Sequence, residues 1–459
     1  MAAEIATKAI AHHTAGLEQA VARFATSLAY EDIPEAVRHQ ARRALVNILA
    51  TGFAGCREPA IDKALKVLSA HSPSGNAVLV GRAERCDPLL AAFLNAMAAN
   101  IHDYDDTHPR TVMHPSAPVV PALMAVAQEQ RTSGRAFLTA FIAGAEAECR
   151  IGNAVSPAHY ARGWHITSTC GVIGSALAAS TLLRLDEGAA VSAIANAAVQ
   201  ACGMVQALGT MSKSISVGNA ARNGLISARL AREGFTGPAD VLGGEFGFIG
   251  LYSDTPKPED VTEGLWERWE FASNTYKPYP VGVVLNPVVD AALELREQGL
   301  ADPADIDTVT IRAHPLLRER TDRPDVESGR LSQVSAQHAL SVAILKGRAG
   351  VAEFSDAAVA ETRGRRPQIR FVDETERDIY SIEMRVDMKD GRVFTAVVEG
   401  ARGSAANPMS DDNLSEKFRR HAEPIGLRNV DSLLERLWRI DESEDCGRVF
   451  GACGGEART

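Results

Sequence analysis

Between residues 1 and about 235, Ala, Leu, Val and Ile recur at the three- and four-residue spacing of an amphipathic helix, and strand-like alternation is nearly absent. The pattern predicts helices over residues 34–54, with proline in the first turn, and over 87–102, 133–151, 168–183, 188–207 and 218–232. After Gly250 the texture changes. Trp266, Trp269, Phe271, Tyr276 and Tyr279 cluster among prolines, and two-residue alternation begins at 307–313. Further strands are predicted at 368–372, 380–388 and 393–399, the last two joined by an Asp390-Gly391 turn, with helices at 288–298 and 335–345. From Ser410, read as an N-cap, helices return over 411–421 and 431–440, and the small, polar stretch 451–459 reads as a frayed tail. The expected fold is mainly α. A large all-helical domain is formed by both chain ends, residues 1–265 and 404–459, and a smaller α+β domain, 266–403, is inserted between them.

Composition narrows the function classes. Across 459 residues, 48 Lys plus Arg stand against 58 Asp plus Glu, a balance of −10 that disfavours a general nucleic-acid binder. Seven cysteines, an odd number without a CxxC pair, read as reduced thiols in a cytoplasmic protein, with no disulfides expected. Residues 1–24 show no apolar targeting run. The uncharged stretch 188–212 is Ala-rich and contains Asn196, Gln200 and Gln206, so it is read as a buried helix and no membrane association is expected. Dinucleotide, nucleoside triphosphate and zincin motifs are all missing, because the glycines of 243–250 lack the GxGxxG spacing and there is neither a Walker loop nor HExxH.

Four polar clusters remain as candidates. The densest, residues 102–116, holds His102, Asp103, Asp105, Asp106, Thr107, His108 and His114 where an apolar helix gives way to a proline-punctuated loop. A metal would use Asp103, Asp105, Asp106, His108 and His114, proton transfer needs only one carboxylate orienting one imidazole, and a plain capped loop would need neither. The second, residues 159–170, places His165 beside a helix N-terminus, where the helix field keeps an imidazole neutral, with Thr167 or Ser168 as candidate cap; packing is the alternative. The third, Lys213 to Ala221, sets a lone cation before a glycine-opened helix start at Gly218 and Asn219, suited to a carboxylate, or else simply solvated. The fourth is Lys277 within Tyr276-Lys-Pro-Tyr-Pro280, a stiffened segment that lines a cleft or serves as a linker.

Together these blocks resemble the MmgE/PrpD family over nearly the whole chain: His102–Thr107 with His114-Pro-Ser116, Gly163-Trp-His165 through Gly171, Lys213 to Ala221, Gly234 to Pro238, Lys277 to Pro280 with Asp290-Ala-Ala292, and Asn407 to Ser410. The resemblance implies a helical domain from both chain ends, an α+β lid-like domain, a homodimer, a small carboxylate substrate and no organic cofactor. Its members include 2-methylcitrate dehydratases, cis-aconitate decarboxylases and an iminodisuccinate epimerase. The implied pocket residues are Asp103, Thr107, His114, His165, Lys213 and Lys277. The chain departs from the tricarboxylate-processing members at Ser216, Gly282 and Asn286, positions often held by histidine there. Fewer imidazoles disfavour dehydration, which must protonate a departing hydroxide. The expectation is therefore an epimerase moving a proton at the carbon α to a carboxylate, iminodisuccinate being the named possibility, with dehydratase or decarboxylase as the alternative. Lys277 and His165 are assigned as opposed proton carriers, Asp103 as the group orienting an imidazole, Lys213 as a carboxylate clamp and Tyr160 as a weaker acid-base candidate. Thr107, His114, Gly218 and Asn219 are expected to bind substrate.

Overall fold

A computed structural model of the protein describes residues 16–72 and 74–455. The chain divides into two compact units: residues up to Ile101, Asp105–Asn274 and Asp411 onward form the first, and His102–Tyr104 with Thr275–Ser410 form the second. The second unit begins at Thr275 instead of residue 266, for an electrostatic reason. The buried Glu146 carboxylate accepts the backbone N–H groups of Glu270 (3.1 Å) and Phe271 (2.9 Å), and the fully buried Arg150 donates to the carbonyls of Glu263, Gly264 and Arg268. Those bonds tie the aromatic stretch to the helical unit.

The first unit is built from α1 (Leu17–Ser27), α2 (Glu35–Gly55), α3 (Pro59–Leu68), α4 (Pro88–Asn100), α5 (Ser116–Ala127), α6 (Gly134–Val155), α7 (Ile166–Leu182), α8 (Glu187–Ala198) and α9 (Ser212–Arg232). Starts follow local chemistry: Asp87 accepts the N–H groups of Leu89 and Leu90, Ser133 that of Ala136 and Asp186 that of Ala189. Two helices differ from expectation. α8 stops at Ala198 instead of 207, because the chain turns through Gly203 at φ +131 and then makes a short 3-10 turn, Val205–Ala207. α9 begins at Ser212, well before Gly218, so Lys213 lies in its first turn. α5, α1 and α3 were not among the clear sequence segments; Pro118 and Pro121 in α5 masked its pattern.

α7 packs against both α6 and α9 at backbone distance. A Cβ placed on Gly144 of α6 would lie 2.5 Å from the Gly174 carbonyl oxygen, and one on Gly224 of α9 would lie 2.7 Å from the Val172 carbonyl oxygen. The chain's far end returns here: α12 (Asp411–Ala422) lays Phe418 edge-on against Phe53 of α2, at 5.3 Å between ring centroids. The tail is held to residue 455, contrary to the fraying expected from 451: Cys453 is buried and Gly455 N–H donates to the Arg82 carbonyl. Residues 456–459 lie outside the described set. All seven cysteines are unpaired thiols, and no described helix is long and apolar enough to cross a membrane.

The second unit holds a four-stranded sheet, β1 (Ile306–Ala313), β2 (Ile369–Asp373), β3 (Ile382–Met388) and β4 (Val393–Val398), in the order β2-β1-β3-β4. β1 pairs antiparallel with β3 and parallel with β2, so the sheet is mixed. Alternating Val309, Ile311, Met384, Val386 and Ala396 face a core shared with α10 (Asn286–Glu297) and α11 (Ala336–Lys346). The expected β3–β4 turn is present, with Gly391 at φ +85 and Asp390 accepting the Arg392 N–H.

The helix contacts predict that Gly144→Ala costs about 1–3 kcal/mol by overpacking. Gly188→Ala, where a Cβ meets nothing nearer than 3.6 Å, stabilises by about 0.4–1 kcal/mol. Urea unfolding of the two variants reads the contrast, and equal stabilities would show that α6 and α7 are not in backbone contact.

Candidate active site

In the helical unit the site is organised where α7 starts. His165 is the N-cap residue of α7, two or three positions earlier than the caps considered from sequence, and its N–H donates to the Gly203 carbonyl at 3.1 Å. A Cβ at Gly203 would collide with Ser168 Oγ, so glycine permits this approach. The imidazole is 4% exposed, with Nδ1 3.1 Å from Ser168 Oγ and 3.3 Å from Ser216 Oγ. Ser216 lies one turn after Lys213 on α9 and donates to its carbonyl, which brings the second and third sequence clusters together. Lys213 itself is buried at 7% exposure. Gly218 and Asn219, expected to offer helix-start amides, sit inside α9 instead. The missing side chain of Gly218 makes room for Phe93, and Asn219 Oδ1 accepts from Arg222.

The first cluster meets the same corner through His114, whose N–H donates to Thr167 Oγ1 at 3.2 Å, two residues into the His165 helix. His114 Nδ1 donates to the Asp106 carbonyl at 2.7 Å, with Asp105 Oδ1 at 3.3 Å and Thr107 Oγ1 at 3.5 Å. Asp105 is in turn fixed by Asn100 Nδ2 at 2.7 Å. In this unit the carboxylate of Asp105 stands beside an imidazole, its Oδ1 3.3 Å from His114 Nδ1. Sequence reading placed Asp105 only among metal candidates and Ser216 only among departures. The cluster does not act as one group: His108 is committed to Thr111 Oγ1 at 2.9 Å and to Glu270, whose carboxyl His108 holds far below the usual range.

The Asp106 side chain has partners of its own. Its Oδ2 accepts from Ser116 and from Asn274, both at 2.7 Å, and full burial pushes its carboxyl up to about 7 against the Ser116 hydrogen bond. Below it, the fully buried Glu148 of α6 has no hydrogen-bond partner on either oxygen among the described residues, and burial raises its pKa strongly, with Asp106 adding to the effect. His159 is closed on both nitrogens, by Tyr252 O at 3.0 Å and Thr169 Oγ1 at 2.7 Å, and burial lowers its pKa to about 4; it is a packing imidazole. Tyr160 lies half-buried in the short turn Ala158–Ala161 ahead of His165.

In the second unit Lys277 is 3% exposed, and its Nζ donates to Asp103 Oδ2 at 2.8 Å and to the Asp103 carbonyl at 3.0 Å. Asp103 holds this double contact in a left-handed conformation, φ +52, an uncommon one for a non-glycine residue. The segment around Lys277 is fixed by Tyr104, whose hydroxyl donates to the Pro278 carbonyl at 3.1 Å, and by Tyr279, which donates to Asp290 Oδ1 at 2.6 Å. Gly282 is half-buried, and Asn286 is buried at the start of α10.

The raised Asp106 gives a pH signature. Below about pH 4 the carboxyl is protonated in both states; between about 4 and 7 the folded chain keeps a proton that the unfolded chain has lost. Stability therefore falls with rising pH across that window, by roughly 1.4 kcal/mol per unit from this group, and the penalty is complete above about 7. Asp106→Asn should remove that component, so the difference in unfolding free energy between variant and wild type moves in the variant's favour from pH 4 to 7. A pH-independent difference would show that Asp106 ionises normally.

Family models place the chain. The MmgE/PrpD N-terminal domain matches residues 19–260 and the MmgE/PrpD C-terminal domain matches residues 279–439. The chain is 28% identical to the human cis-aconitate decarboxylase over 438 residues, covering 90% of this chain and 89% of that protein. It is 28% identical to the mouse cis-aconitate decarboxylase, covering 90% and 88%, and 27% identical to the Aspergillus terreus cis-aconitate decarboxylase, covering 93% and 94%. With both of its domains matched in order, and with its polar clusters gathered at the start of α7 and at Lys277, this chain belongs to the MmgE/PrpD family.

Proposed function

We propose that the protein is a carbon–carbon lyase of the decarboxylase type, acting on a small unsaturated polycarboxylate, with cis-aconitate as the first substrate to test. The observation that carries this reading is the end-to-end similarity to proteins named cis-aconitate decarboxylase in mammals and a fungus. The relatives favour the lyase alternative over the epimerase expected from the sequence, and none of those named here is an epimerase.

The chemistry asks for a cation and a proton donor. When CO₂ departs, the electrons of the broken C–C bond stay on the substrate and delocalise toward a neighbouring carboxylate, giving an enediolate with extra negative charge. Lysine ammonium groups lower that charge's energy most where water is excluded, and Lys213 and Lys277 are both buried. Lys213 is assigned the role of carboxylate clamp. A proton then closes a C–H bond where the electron pair has come to rest, and His165 and Lys277 are assigned as the proton carriers. His114, held by the Asp106 carbonyl with Asp105 alongside, and Thr107 beside it are assigned to substrate binding.

One observation favours a second reading, epimerisation of an amino-dicarboxylate such as iminodisuccinate. The positions expected to carry imidazoles in tricarboxylate-processing members hold Ser216, Gly282 and Asn286, and Ser216 lies against His165 Nδ1, where it supports an existing imidazole instead of adding one. Removing and returning one α-proton needs two proton carriers and no leaving group.

Incubation with cis-aconitate should release CO₂, and Lys277→Ala and His165→Gln should each lower the rate by at least about 100-fold in folded protein. Deuterium entering Cα of iminodisuccinate in D₂O, without CO₂ from cis-aconitate, would replace the decarboxylase reading with the epimerase. No turnover of any di- or tricarboxylate in a broad panel would remove both.

A further inference from the structure

We propose that Ser168 and Ser216 together fix the ring hydrogen of His165 on Nδ1 and so present Nε2 as the nitrogen that takes up a proton; this rests on the reading of His165 as a proton carrier. Each serine hydroxyl owns one hydrogen and two lone pairs. Ser168 Oγ lies 2.9 Å from the His165 carbonyl oxygen, and Ser216 Oγ lies 2.8 Å from the Lys213 carbonyl oxygen. A carbonyl oxygen only accepts, so both hydroxyls have already given their hydrogen to the backbone. What they offer the imidazole is lone pairs. Their contacts with Nδ1, at 3.1 and 3.3 Å, are attractive only when Nδ1 donates. A neutral imidazole carries one N–H, which leaves Nε2 without a hydrogen.

A second histidine in the chain supplies the contrast. His314 is also an N-cap residue, and its Nδ1 accepts the Leu316 backbone N–H at 3.2 Å, the ordinary behaviour of a capping acceptor. His165 makes no such capping bond at the head of α7, as expected of a ring whose Nδ1 already bears hydrogen. Imidazole free in water favours the opposite tautomer, with hydrogen on Nε2, so the two hydroxyls act against the ring's own preference. The same constraint operates at His114, where the Asp106 carbonyl requires a hydrogen on Nδ1. Both imidazoles of this corner therefore carry their hydrogen on the side facing the fold.

Ser168 and Ser216 are thus positioning residues acting through His165. Titratable groups around that ring include Lys213 on α9, His114 through Thr167, His159 through Thr169, and Cys202 beside Gly203. None of these supplies the Nδ1 acceptors, which come from the two serines.

The test is ¹⁵N spectroscopy of the full chain with ring-labelled histidine, His165 being assigned by the resonances lost in His165→Gln. At about pH 8 the wild type should show a protonated, pyrrole-type Nδ1 and a bare, pyridine-type Nε2 for His165. The double variant Ser168→Ala with Ser216→Ala should move both resonances toward a mixture of tautomers and lower kcat by about tenfold with KM nearly unchanged. Ser216→Thr, which keeps the hydroxyl, should match wild type in both readouts where Ser216→Ala does not. A pyridine-type Nδ1 in the wild type, or unchanged ring resonances in the folded double variant, would overturn the assignment. The spectrum needs no substrate, so the expected tautomer in a protein inactive on every acid tested would leave this inference standing and remove the catalytic reading of His165.

Discussion

The first unit depends on backbone-to-backbone packing of α7 between α6 and α9. Glycine at Gly144 and Gly224 lets these helices approach closer than any side chain would allow. That approach fixes where α7 begins, and its N-cap residue is His165. It also fixes the neighbouring turn of α9, which delivers Ser216 and Lys213. The geometry around one imidazole is therefore decided by small residues buried along three helices and not by the loop that carries it. Such a site is stiffer than one built on loops alone, which suits chemistry that needs a proton carrier held in one orientation.

The interior handles charge in two contrasting ways. Lys277 and Asp103 meet as an ion pair completed by a second bond to the Asp103 carbonyl, so the buried ammonium is balanced where it lies. Glu148 is the opposite case. Gly171 and Gly174 leave the room that its side chain fills, yet neither carboxyl oxygen has a partner among the described residues, and burial raises its pKa strongly. Asp106 lies between these extremes, half-satisfied by Ser116 and Asn274.

Much of this architecture was legible in the residue pattern. Strong apolar periodicity marked α2, α6 and α7 to within a few residues, and the Asp390-Gly391 turn located the β3–β4 hairpin. The failures have physical causes. α8 was overextended because the apolar composition continues past Ala198, while a single glycine at φ +131 redirects the backbone. α5 was hidden by its own prolines. The clusters at Asp103, His114, His165, Lys213 and Lys277 were recognisable by residue type and by family resemblance. Which partners the aspartates take was not: the ion pair of Asp103 with Lys277, and the bond from Asn100 that fixes Asp105, follow from the folded backbone. Ser216 gave no signal as a functional group, because a serine's role depends on where its one hydrogen goes.

The interleaving of the chain bears on how the protein is made. α2 is among the first helices to leave the ribosome, but the surface it offers to Phe418 and Lys417 belongs to a segment synthesised far later; Asn47 and Lys417, hydrogen-bonded at 2.9 Å, are 370 positions apart. At about 5–20 residues per second, roughly 20–70 s separate the two. Throughout that interval the nascent helical body lacks its closing layer and presents an oily flank to whatever surrounds it. Completion of the fold is thus timed by translation itself, and a chain released early would expose that flank for good.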